Sequence, residues 1–223
     1  MNRTVAALAC AILSAAALAE PVQKARKNHV PERLDDIRLI TPLAATRNHI
    51  LAVNVGGAIP EKDWVLAVTY ASSRLQLNVW TNSIGKTLFP EVAEKPSAIT
   101  DAFGKKAKVA VFLEDSDSPY PYLSAPGAWC RVNVRYLKSD KPDLQTMRDR
   151  YAKAILKGFV YACGSGAALD GRSASNFDTF TLAGMDKTNI TISPDSYFPM
   201  LEVLRVIGGN EILSPAVAEG EED

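Results

Sequence analysis

Carboxylates and thiols are the chemical groups this sequence offers, because it contains almost no imidazole. Its two histidines are His29 and His49. No His-Glu-x-x-His occurs, so a multi-histidine metal centre is not available. A Ser-His-Asp triad would have to use His49, and no Gly-x-Ser-x-Gly elbow presents a serine to it. The most chemical-looking set of candidate ligands is Glu114, Asp115 and Asp117, directly after the apolar run 108–113. Carboxylates at the end of a strand can hold Mg2+ or Ca2+, since hard cations take oxygen ligands. Asp and Ser are equally common loop formers there. Cys163 closes an expected helix, whereas a reactive thiol belongs at a helix start, where the dipole lowers its pKa. Cys130 and Cys163 stand either as a disulfide or as two buried free thiols, and sequence does not choose between them.

The elements that would position these groups alternate between strand and helix. The run 49–56 reads as a strand closed by Gly56-Gly57. Trp64, Ala67, Val68 and Ala71 recur at helical spacing after Pro60. Strands are expected at 37–41, 75–81 and 108–113, the last central because it is continuously apolar. A short helix is expected at 96–103 and a loop at 114–128. Alternation of Cys130, Val132, Val134 and Tyr136 predicts a strand over 129–137 with one wet face. The longest helix begins near Pro142 and Asp143 and runs to Cys163, with a core stripe of Leu144, Met147, Tyr151, Ile155, Phe159 and Ala162. A last helix begins near Ser193-Pro194, and its regular part is expected only from Pro199. The pattern predicts an α/β domain with a mixed twisted sheet of four to five strands and flanking helices.

Residues 1–19 have the order of a cleavable export signal: Arg3, an apolar alanine-rich run, then Ala17-Leu18-Ala19. The expected division is a signal at 1–19, an unpacked basic leader at 20–34, one domain at 35–213 and an acidic tail at 214–223. The product is expected in the periplasm or outside the cell. No other stretch is long enough to span a membrane. Lys plus Arg equals Asp plus Glu, 25 against 25, which leaves no global field for nucleic acid. Aromatics at Tyr70, Trp80, Tyr120 and Tyr122 could line a carbohydrate or peptide groove, or simply cover the core.

Two resemblances bear on function. The apolar strand followed by Asp115-x-Asp117 resembles the first motif of haloacid-dehalogenase-type phosphatases. It would make Asp115 a nucleophile and Asp117 a general acid. The motif lies mid-chain, and the later family motifs are not evident. The order of elements over about 35–208 resembles a zincin domain, and the long helix resembles the metal-binding helix of archaemetzincin-like peptidases. In that resemblance Lys157 stands at the first zinc histidine, Gly158 at the catalytic glutamate, Tyr161 at the second histidine and Ala167 at the third. Gly164 matches the helix-ending glycine, and Met185 matches the methionine turn. The resemblance implies a zincin-like fold without zinc, another metal or a cofactor, because Lys, Gly, Tyr and Ala replace the ligands and the general base. It further implies a groove along the edge strand, expected at 129–137, for a peptide, protein or surface polymer.

Overall fold

The computed structural model describes residues 29–37, 50–77, 79–85, 109–126 and 128–208. The export signal, the acidic tail, the short helix at 96–103 and residues 38–41 of the first expected strand lie outside the described residues. Strand β1 (Ile50–Val55) is buried throughout. It turns at Gly56 and Gly57, with φ of 60° and 68°, a conformation that an L side chain rarely adopts. Asn54 braces this turn: its amide nitrogen donates to the Ile59 carbonyl (2.8 Å) and its oxygen accepts from the Ile59 N–H (3.1 Å). Helix α1 (Glu61–Leu75) follows, burying Trp64, Ala67, Val68, Ala71 and Leu75. It ends at Gln76 in the left-handed region. Strand β2 is therefore Val79–Ile84 rather than 75–81, because the helix uses Leu75 as a core residue.

The sheet has five strands in the order β2-β1-β3-β5-β4, with β3 at Val109–Glu114, β4 at Tyr122–Ala125 and β5 at Trp129–Asn133. β1, β2, β3 and β5 are parallel, and β4 runs antiparallel beside β5. Two expectations are corrected here. The stretch 114–128 is not all loop, since β4 forms inside it. The strand at 129–137 stops at Asn133, whose side chain accepts from the N–H groups of Arg135 and Tyr136 and so caps a helical turn, α2 (Val134–Leu137). β5 is paired on both sides, so among the described residues the edge on this side of the sheet is β4.

Helix α3 (Leu144–Ala162) crosses the sheet face that carries Val111, Cys130, Val132 and Tyr122. Asp143 caps its start by accepting from the Thr146 N–H (2.8 Å). Its end is a Schellman closure: Gly164 (φ 73°) donates to Tyr161 and Ser165 donates to Val160. The expected stripe is buried except Leu144, which is exposed. The rest of the chain is a 3-10 turn at Phe177–Phe180, the short helix α4 (Leu182–Lys187) and α5 (Pro194–Gly208). α5 starts at Pro194, earlier than expected, with Pro199 accommodated inside it. At the other end, the expected unpacked leader is packed from His29 onward. Val30 is buried, and the Asp149 carboxylate on α3 accepts from its N–H (2.8 Å) and contacts the His29 ring.

α3 is buried on every side, and its polar positions are held by named partners. Arg148 donates to Asp63 of α1 (2.7 Å). Arg150 donates to both oxygens of Asp140, both of Asp186 and the Leu137 carbonyl. Lys153 donates to the Met185 carbonyl (2.9 Å). Against the sheet, Gly158 lets the helix approach β3: an added Cβ would stand 2.6 Å from Val111 Cγ1 and 3.1 Å from Cγ2. Val111 is fully buried and β-branched, so it yields little. Overpacking of this kind costs about 1–3 kcal/mol, against a helix-propensity gain of about 1 kcal/mol for Gly→Ala. Gly158→Ala is expected to lower stability by up to about 2 kcal/mol in urea denaturation. In a Val111→Ala background the same change is expected to be neutral or stabilising, and equal losses in both backgrounds would refute the close-approach account.

Candidate functional site

Lys157 and Tyr161 lie one turn apart on α3, and both face a cluster of aromatic rings between the helix, β4 and the 3-10 turn. Lys157 is fully buried. Its ammonium donates to the Asn176 carbonyl (2.8 Å) and to the Thr179 hydroxyl. It stands 4.0 Å from the Phe180 ring centre, 5.3 Å from that of Tyr161 and 5.4 Å from that of Tyr122. The rings also hold one another. Tyr161 stacks on Phe180, and Tyr122 meets both edge to face, each pair 5.9 Å apart. Such contacts attract a cation through the negative face of each ring. The 3-10 turn is prepared for this by its own sequence: Asn176 caps it by accepting from the Asp178 N–H (2.9 Å), and the Thr179 hydroxyl donates back to the Asn176 carbonyl (2.7 Å).

Burial sets the electrostatics. It pulls the Lys157 amine down to about 7, against a smaller opposing pull from Cys130 and Asp178. Burial also raises the Tyr122 and Tyr161 phenols and the Cys130 thiol, and it pushes the Cys163 thiol up to about 12. Cys130 and Cys163 are both buried free thiols, so of the two states left open the structure has the unbonded one. Neither is poised as a thiolate nucleophile. The Tyr122 hydroxyl is buried without a hydrogen-bond partner among the described residues.

The acidic candidates are placed elsewhere and are already paired with arginines. Glu114 is held by Arg131 (2.6 Å), Asp115 by Arg135 (2.6 Å) and Asp117 by the same arginine. Each carboxylate faces a guanidinium rather than a shared cation position. Among the described residues no three His, Cys, Asp or Glu side chains come together as a metal-binding group. Met185 is buried in α4 and takes part through its carbonyl, and Ala167 is half-buried beyond the helix end. Sequence reasoning missed Asn176, Thr179, Phe180 and Tyr122 as partners of Lys157. The one signal for them was Asn176-Phe-Asp-Thr-Phe180, whose Asn and Thr mark a capped turn.

The low value at Lys157 makes stability depend on pH. The unfolded chain holds this proton up to its ordinary 10.5 and the folded chain only to about 7. The unfolded state therefore binds more protons between those values, and stability rises with pH across that range. Above about 9 the buried thiols reverse the trend, because the unfolded chain then releases their protons first. Wild-type protein is expected to gain up to about 2 kcal/mol between pH 7 and 9. Lys157→Met is expected to flatten that rise in denaturation curves taken across the window, and an unchanged slope would show that another group is responsible.

No family model matches the sequence, and a search of curated proteins returns no match. Solved structures do resemble it. Archaemetzincin from Methanopyrus kandleri superposes with a TM-score of 0.52 at 17% identity, covering 71% of this chain and 97% of its own. A zinc-dependent peptidase from Methanocorpusculum labreanum superposes with a TM-score of 0.54 at 12% identity, covering 67% and 99%. The chain therefore has the zincin-like α/β fold of these proteins, and it has that fold without a His-Glu-x-x-His sequence on its long helix.

Proposed function

We propose that this chain is an exported zincin-fold protein without peptidase activity, which binds an extended peptide segment of a protein partner along β4. The observation that carries this reading is Lys157. It stands where the resemblance puts the first metal ligand, and its own ammonium fills the space with two oxygen partners and three rings. Structural and catalytic zinc is held by imidazole, thiolate or carboxylate, and this amine is already engaged by those oxygens and rings. The neighbouring Gly158 supplies no carboxylate to activate water, and the close approach to Val111 leaves no room for one. Export rests on the signal-like order of residues 1–19. A cation-dependent hydrolase at Asp115 and Asp117 is disfavoured, because the Arg135 guanidinium sits between the two carboxylates where a shared cation would bind.

The peptide part of the reading rests on backbone geometry. Asn133 N–H donates to the Pro121 carbonyl (2.9 Å), and Leu123 pairs with Arg131. In an antiparallel ladder hydrogen-bonded pairs alternate, so the N–H and C=O groups of Tyr122 and Ser124 turn away from β5. Exposed Tyr120, Leu123 and Phe180 flank that edge. Among the described residues nothing pairs with this edge, and an edge with apolar neighbours takes an added strand, the backbone giving affinity and the flanking side chains selectivity.

The test uses the mature protein. It is expected to take up no stoichiometric zinc at micromolar metal and to leave casein uncut; uptake or cleavage would overturn the reading. Selection from a displayed random-peptide library is expected to enrich extended binders. Ser124→Pro removes one outward N–H while leaving the β5 ladder whole, and it is expected to weaken those binders at least about tenfold, the worth of one hydrogen bond in a dry interface. Enriched peptides indifferent to Ser124→Pro would place the binding surface elsewhere.

A further inference from the structure

The surroundings of Lys157 form a complete receptor for an amine. We propose that the space bounded by Tyr122, Tyr161, Phe180, Asn176 and Thr179 is a binding site for a primary alkylamine, which the chain occupies with its own Lys157 as a tethered ligand. Two oxygens accept from the amine, the Asn176 carbonyl and the Thr179 hydroxyl. Three rings surround it at 4.0–5.4 Å, and the rings are fixed by contacts with each other that do not involve the lysine. Thr179 is tied to the Asn176 carbonyl by a further bond that is likewise independent of Lys157. Tyr122, one of these rings, carries a buried hydroxyl that has no hydrogen-bond partner among the described residues. The receptor comes from β4, α3 and the 3-10 turn, so whatever amine sits in it fastens that turn to the helix. This inference is independent of peptide binding at β4.

Removing the side chain beyond Cβ separates receptor from ligand. Lys157→Ala deletes Cγ, Cδ, Cε and Nζ, which n-propylamine replaces atom for atom. The variant is expected to melt well below wild type. About 50 mM n-propylamine is expected to restore at least half of the lost melting temperature, as a ligand specific for the folded state does. Rescue is expected to peak at three carbons and to strengthen from pH 7 to 9, as more free amine becomes neutral, because the buried site disfavours the charged form. Matched NaCl and 1-propanol are expected to do little, and Lys157→Met, with the space refilled, is expected not to respond. If Lys157→Ala does not fold alone, the readout becomes the folded fraction recovered on refolding with n-propylamine. Equal rescue by 1-propanol would reduce the site to an apolar cavity. An equal response from Lys157→Met, or no rescue while Lys157→Met folds, would overturn the proposal.

Discussion

A charged side chain taken out of water has to find partners inside the protein, and α3 imposes that demand along its length. Arg148, Asp149, Arg150, Lys153 and Lys157 are all buried on this one helix. Leaving any of them unpaired would cost several kcal/mol, on the order of 3–5 for a broken buried pair. Each is met by a different part of the chain. Asp63 comes from α1, Val30 and His29 from the N-terminal strap, and Asp140 from the turn before α3. Asp186 and the Met185 carbonyl come from α4, and Asn176 and Thr179 from the 3-10 turn. These segments are thus tied to one helix through its buried polar groups.

The aromatic cluster follows from the same constraint. Among the described residues no carboxylate hydrogen-bonds to Lys157, and carbonyl, hydroxyl and ring faces surround its amine instead. Phe180 packs against Tyr161 and Tyr122, and Tyr136 secures the turn from outside by donating from its hydroxyl to the Phe180 carbonyl (2.9 Å). The result is a closed, apolar wall beside the edge strand. A metal ion in such a place would hold side chains together by coordination. Here the junction of helix, edge strand and turn is held by an amine and three rings.

Much of this was legible in the residues. The apolar runs of β1 and β3 fix central strands, because only a strand covered on both faces tolerates continuous burial. The spacing from Met147 to Ala162 fixes the long helix, with Asp143 and Gly164 marking its ends. Leu144 departs from the expected stripe because the first turn projects past the core, and 134–137 departs from the expected strand because alternation continues briefly through a helical turn that Asn133 caps. β4 was hidden among prolines and serines, since an edge strand needs only one paired side and little apolar pattern.

The sequence by itself determined the absence of imidazole ligands, the alternation of strand and helix, and the presence of lysine, glycine and tyrosine near the end of the long helix. Those are properties of residue type and local spacing. Tertiary structure alone decided that Lys157 is buried, that Asn176, Thr179, Phe180 and Tyr122 surround it, and that Glu114, Asp115 and Asp117 are spent on Arg131 and Arg135. These contacts join residues far apart in the chain, and no local pattern encodes which distant oxygen a buried amine will reach. It left Cys130 and Cys163 as separate thiols for the same reason, since a bond depends on the distance between two elements that only folding brings together.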